Sequence, residues 1–377
     1  MSDIGTLLRT KALGEMYKKP EIGNTIMSIM FSLRFKNNPT CNLFRCLESI
    51  IDTTTEEERT RLELLIKMDL DDTSIPDEII NTFKVIHKGK YYELHRNYKG
   101  VHVRIYIYKR GEGRGDLHNV LSYLGTLASY ESVMFMNIAD DFIFTKTNWV
   151  TNILNLYNFS LKVNKGMLII GPCSENVSSP TTIISNPPAG EGEVKAPDII
   201  ISGSTVSTNP DGMPPRRTTQ DDLMPLNNWC DFNYVTQNEL DEIITGQKTI
   251  LWSNLNQYIG EYCPIFSKKL FNIISGQFWM ASIDAYFTIL GAVLALRHNI
   301  KITTRIKNFY IREQTITSTK EEEGYIKEQE LPQWGFGLPD YNFNTFSGRF
   351  PEIRNCKSFF NLISQQALNI KLNLNND

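Results

Sequence analysis

The chain has 377 residues, a formal net charge of −3, and 41% apolar and 21% charged residues. That is the composition of a soluble globular protein long enough for one large domain with additions, or for two domains. The net charge argues against non-specific nucleic-acid binding by the whole chain.

Six cysteines, Cys41, Cys46, Cys173, Cys230, Cys263 and Cys356, are scattered without paired ligand spacing. Neither a zinc site nor a disulfide framework is expected, and a reducing cytosol is the default compartment. The start, Met-Ser-Asp-Ile-Gly, lacks a signal-peptide apolar core. The most apolar helical run, residues 286–296, is shorter than the ~20 residues a membrane span needs. A cytoplasmic protein without a transmembrane segment is expected.

In chain order, residues 26–35 predict a strand. Asn37-Asn38-Pro39-Thr40 is a turn, after which Leu43, Phe44, Leu47, Ile50 and Ile51 recur at helical spacing. Residues 53–59 are a polar break with a capping-box pattern. Residues 62–68 predict a second strand, running into Asp69-Leu70-Asp71-Asp72. A helix over 75–83 is expected after a Ser74 cap and Pro76. Residues 101–108 are strongly β-prone and lead to a charged glycine-rich loop containing Arg110 and Arg114. A helix over 119–128 and a strand over 133–136 follow.

That last strand ends at Asp140-Asp141, and Trp149 then opens a helix. Two adjacent carboxylates at the end of a buried strand repel each other and are costly to desolvate. A shared cation offsets both costs, and hard divalent ions favour oxygen donors.

Residues 167–170 form another expected strand. Between Pro172 and Pro225 lie nine of the 16 prolines, so 172–235 reads as a loop-rich insertion with a short strand near 199–201. Apolar structure resumes at Ile250. Residues 270–274 look helical, Ser275-Gly276-Gln277-Phe278-Trp279 turns the chain, and a helix over 283–296 precedes a strand over 300–310. A charged stretch at 318–330, an aromatic, Gly- and Pro-rich stretch at 332–350 and a final amphipathic helix complete the chain.

Alternating strands and helices predict an α/β fold with a mostly parallel sheet flanked by helices. Ligands in such sheets sit at the carboxyl ends of the strands. Asp69–Asp72, the Arg110–Asp116 loop and Asp140–Asp141 all follow strands, so they are expected to converge on one crevice.

Several segments together resemble the nucleotide-sugar glycosyltransferases of GT-A (Rossmann-like) fold, family 2 in particular. They are Ser28-Ile29-Met30-Phe31-Ser32, Asn38-Pro39, Cys46-Leu47-Glu48-Ser49-Ile50 and Met68-Asp69-Leu70-Asp71-Asp72-Thr73-Ser74. Arg110, Gly113, Arg114, Gly115 and Asn119 precede the metal-motif-like Ile138-Ala139-Asp140-Asp141. Ser275-Gly276-Gln277-Phe278, Ser282-Ile283-Asp284 and His298-Asn299-Ile300-Lys301-Ile302 follow in the second half.

The resemblance covers residues 25–170 and 250–315. It implies one domain over 1–315, with a nucleotide-binding half (25–170) and an acceptor half (250–315), and a C-terminal extension, 316–377, packing on it. It implies a metal-dependent transfer from a nucleoside-diphosphate sugar, UDP favoured, to an acceptor hydroxyl, a glycan by default, with inversion. Ser32, Asp69, Asp71, Arg110, Arg114, Asn119 and Asp140 would bind the nucleotide. Asp141, with Asp140, would hold Mn²⁺ or Mg²⁺, and Asp284 would be the general base. Ala139 stands where many members carry an acid, which favours Asp141 as the metal ligand. Protein, lipid-headgroup and nucleic-acid acceptors stay open. The other readings are a sugar nucleotidyltransferase, opposed by the absence of glycine in 32–38, and a non-catalytic binding module.

Overall fold

The computed structural model describes residues 26–35, 43–88, 91–109, 116–139, 142–173, 182–184, 199–202, 205–206, 264–276, 283–307, 309–312 and 356–375. The elements that build its centre are β1 (Met27–Leu33), α1 (Leu43–Thr53), α2 (Glu56–Thr60), β2 (Leu62–Asp69), α3 (Asp77–Thr82), β3 (Lys84–His87), β4 (Tyr92–Tyr98), β5 (Val101–Tyr108), α4 (Asp116–Leu127), β6 (Met134–Asn137), β7 (Phe142–Phe144) and α5 (Trp149–Asn164). They are followed by β8 (Ile169–Cys173), β9 (Thr182–Ile184), β10 (Ile199–Ser202), β11 (Thr205–Val206), β12 (Ile265–Ser267), α6 (Lys268–Ile273), α7 (Ile283–His298), β13 (Thr303–Lys307), β14 (Tyr310–Arg312) and α8 (Cys356–Asn375).

Nine strands form one sheet in the order β13-β8-β12-β6-β1-β2-β5-β4-β3. β1 pairs in parallel with both β2 and β6, β2 with β5, and β8 with β13. Only β4 and β12 run against β1. The chain is therefore α/β with a mixed, mostly co-directional sheet flanked by helices. The antiparallel hairpin β3–β4 and the inserted β12 carry no sequence pattern that announced them. The single strand expected over 300–310 is two, because β13 pairs with β8 while β14 pairs with β7 in a separate ribbon. The expected strand near 199–201 is β10, the centre of a three-stranded antiparallel sheet.

Alternation sorts the strand residues onto two faces. Met27, Ile29, Phe31 and Leu33 of β1 join Leu62, Leu64, Ile66 and Met68 of β2 and Val101, Val103, Ile105 and Ile107 of β5 in one core, against α1, α3 and α5. Met30, Leu65, Tyr106, Phe135, Ile169 and Phe266 face the other way, against α4, α6, α7 and α8. α7 is apolar around most of its circumference because it is covered on both sides: Tyr286 and Phe287 are fully buried, and the Tyr286 hydroxyl donates to Gln366 Oε1 of α8 at 2.8 Å.

Local chemistry sets the element ends. Thr55 opens α2 with a capping box, its side chain accepting from the Glu58 N–H while the Glu58 carboxylate accepts from the Thr55 N–H. Pro76, not Ser74, is the N-cap of α3; the Ser74 N–H is used by Asp72 instead. Trp149 at the start of α5 stacks on Phe144 and donates its indole N–H to Thr53 Oγ1 at 3.1 Å, joining α5 to α1. Among the described residues no helix is long and apolar enough to cross a membrane.

The second face also carries buried charge. Glu63 is fully buried and accepts from Ser28 Oγ at 2.6 Å, the Ser129 N–H at 2.7 Å and Arg104 Nη2 at 2.7 Å. Arg104 donates a further bond to the Leu127 carbonyl at 2.7 Å, which fixes the end of α4 over the sheet. The carboxylate side of this buried pair is well hydrogen-bonded, while Arg104 Nε, also buried, has no hydrogen-bond partner among the described residues.

Candidate active site

β1 has its sequence neighbour β2 on one side and β6 on the other. The strand order reverses there, and the carboxyl ends of strands at such a reversal are the usual ligand position in α/β sheets. The backbone holds that end closed on itself: the Ile138 N–H donates to the Met30 carbonyl at 3.1 Å, and the Asn137 N–H to the Pro264 carbonyl at 3.0 Å.

Arg34, just past β1, places Nη1 2.7 Å from Asp69 Oδ2. Lys67, two residues before Asp69 on the same face of β2, gives its ammonium to Asp69 Oδ1 and lies 5.1 Å from the centre of the Tyr108 ring. All three charged groups are buried. The two buried cations converge on one carboxylate, Asp69, at the carboxyl end of β2. Asp71 approaches from solvent: its side chain is 58% exposed and Oδ1 lies 3.6 Å from Arg34 Nη1.

Asp72 has a different task. It is fully buried, accepting from the Phe35 N–H at 2.6 Å and the Ser74 N–H at 3.0 Å. It ties the segment after β1 to the turn after β2. The acidic run thus divides into an ion-pair anchor (Asp69), an exposed carboxylate (Asp71) and a backbone clamp (Asp72).

Ser32 is half-buried on β1, opposite Lys67 in the parallel register and on the same sheet face. Asn119 is in the first turn of α4 and Asp284 is the second residue of α7, both at helix N-termini. Arg110, Arg114, Asp140 and Asp141 lie outside the described residues. Ala139 and Phe142, the described residues on either side of the acidic pair, are joined by a backbone hydrogen bond of 3.4 Å, with the Phe142 N–H donating.

The sequence reading missed Arg34 and Lys67. The available signals were a lone cation directly after an apolar strand, and a lysine two residues before the acidic run on the same strand face. Among the described residues no group of three His, Cys, Asp or Glu side chains could hold a metal ion. Asp69 and Asp72 already spend their oxygens on cations and backbone N–H groups, so neither is a ready metal ligand.

No known family model matches this chain, and no curated protein matches it.

Proposed function

We propose that the chain is a metal-dependent, inverting glycosyltransferase that uses a nucleoside-diphosphate sugar, with UDP as the favoured nucleotide and a glycan hydroxyl as acceptor. The observation that supports this best is the reversal of strand order between β1 and β6. It puts the carboxyl ends of three strands, and with them Arg34, Asp69 and the segment leading to Asp140–Asp141, along one edge. Arg34 and Lys67, brought to that edge by Asp69, are cations of the kind that pair with a diphosphate.

In this reading Asp69 positions Arg34 and Lys67, and exposed Asp71 is the carboxylate that contacts base or ribose. Ser32, Arg110, Arg114 and Asn119 complete the nucleotide side. Asp140 and Asp141 would hold Mn²⁺ or Mg²⁺, which supplies positive charge against the leaving diphosphate. Asp284 takes the proton from the acceptor hydroxyl as its oxygen bonds to the anomeric carbon and the bond to the diphosphate breaks.

The test is release of nucleoside diphosphate from a panel of nucleotide sugars with Mn²⁺, in the wild type and in Asp284→Asn. Pyrophosphate release would replace this reading with a nucleotidyltransferase. Nucleotide binding without turnover would leave a binding module.

A further inference from the structure

At the opposite end of β6 from the candidate active site lies an open groove of about 1040 Å³. Its walls come from the segment leading into β6, from α5, from α6 and from the C-terminal half of α8. β6 spans four residues, about 13 Å at the usual rise, so the groove and the carboxyl end of β6 are separate places on one strand.

Three features of the groove point to one ligand chemistry. Tyr130 is 91% exposed, a ring presented to solvent with nothing covering it. Its backbone is held by Lys268, whose ammonium donates to the Ser129 and Tyr130 carbonyls at 2.7 and 3.0 Å and sits 5.7 Å from the Tyr130 ring centre. The platform is thus fixed in place although the ring is bare.

The second feature is a set of amides. Asn369 and Asn373 stand one turn apart on α8, and Asn272 projects from α6 into the same groove. Asn373 donates Nδ2 to the Asn369 carbonyl at 2.8 Å, which fixes its side chain. Among the described residues the side chains of Asn272 and Asn369 make no hydrogen bond, so their paired donor and acceptor are available to a ligand.

The third is charge. Lys268 and Lys269 line the groove and, among the described residues, no carboxylate does, although Glu131 beside Tyr130 acts on the Lys268 charge. Lys269 makes no ion pair among the described residues.

We infer that this groove binds an acidic oligosaccharide. An exposed tyrosine stacks on the apolar face of a sugar ring, asparagine amides match hydroxyl pairs, and the lysines match ring carboxylates. The volume lies at the upper end for ligand pockets and admits more than one ring. Val133, Tyr157, Ile273 and Leu372 supply apolar wall between these polar groups, a mixture that complements a sugar ring with its apolar face and hydroxyl edge. The inference goes beyond the transferase reading and does not depend on it.

The test is calorimetric titration of the full chain, without nucleotide or metal, with tetragalacturonate and with neutral maltotetraose. The expected result is saturable binding of the acidic probe, weakened at least fivefold by Tyr130→Ala and by Asn369→Ala/Asn373→Ala. Lys269→Glu is expected to remove the preference for the acidic over the neutral probe. All these side chains are exposed or half-exposed, so circular dichroism and melting should match the wild type. Absence of saturable binding, or binding that Tyr130→Ala and the asparagine pair leave unchanged, would overturn the assignment. Because no nucleotide is present, failure here is distinct from failure of the transferase reading.

Discussion

Arg34 and Asp69 lie on adjacent strand ends, and the guanidinium of the first is 2.7 Å from the carboxylate of the second in a buried setting. Asp69 is shared with Lys67, so one carboxylate holds two cations. Removing it takes the shared buried carboxylate away from both. Asp69→Ala is expected to cost roughly 3–5 kcal/mol in urea unfolding, whereas Arg34→Met, which leaves the Lys67 pair intact, should cost roughly 1–3 kcal/mol. Equal losses in the two variants would show that Lys67 contributes nothing to the anchor.

The Glu63–Arg104 pair joins β2, β5 and the end of α4. Glu63→Gln keeps the shape and removes the charge that Arg104 faces, and is expected to destabilise by about 3 kcal/mol. A double-mutant cycle with Arg104→Met should give a coupling of ~1–3 kcal/mol by chemical denaturation. Additive single and double variants would mean that the pair is not coupled.

His102 on β5 gives a pH dependence. Burial pushes its pKa down to about 4, with Arg104 and His95 adding repulsion. In the unfolded chain the imidazole titrates near its ordinary value of about 6.5. Between those values the unfolded chain binds a proton that the native one refuses, so stability falls as pH drops from 6.5 towards 4 and this contribution is spent below that. His102→Asn should flatten the curve of unfolding free energy against pH across that window. A variant curve parallel to the wild type would refute it.

Phe271 of α6 is boxed in by two glycines. A Cβ on Gly125 would lie 2.5 Å from its Cζ, and one on Gly276, which also has a φ of +64°, would lie 2.7 Å from the same atom. The ring packs edge-on to Phe135 at 5.2 Å between centres, so it cannot simply withdraw. Gly125→Ala should lower stability by ~1–3 kcal/mol through overpacking. Phe271→Leu in the same chain should recover part of that loss in thermal melting. A double variant as unstable as the sum of the two singles would contradict the clash.

For the proposed transferase, Asp284→Asn should lower turnover ~10²–10⁴-fold with nucleotide affinity retained. EDTA should abolish diphosphate release, and Asp141→Asn should raise the Mn²⁺ concentration needed to restore it. Turnover in EDTA equal to that in Mn²⁺ would remove the metal from the proposal.

The sequence by itself determined most of the elements. The strands β1, β2, β5 and β6 follow from short apolar, β-prone runs bounded by polar breaks, and the helices α1, α4, α5, α7 and α8 from longer apolar runs or helical spacing, because burial leaves a length and a repeat that survive in the residue order. It also placed the acidic run at the end of β2. It did not separate the roles of Asp69, Asp71 and Asp72, nor show that Arg34 and Lys67 meet there. Leu62–Asp69 carries Glu63, Lys67 and Asp69 at alternating positions, and all eight of its residues are buried. Those charges are tolerated inside only because Ser28, Arg34 and Arg104 approach from other strands, 35 to 41 residues away in the chain. The same holds for β12, three residues whose place between β6 and β8 is set by two neighbours and not by its own pattern. Pairing across strands is decided by tertiary structure, since a buried charge and a solvated one leave the same mark in the sequence.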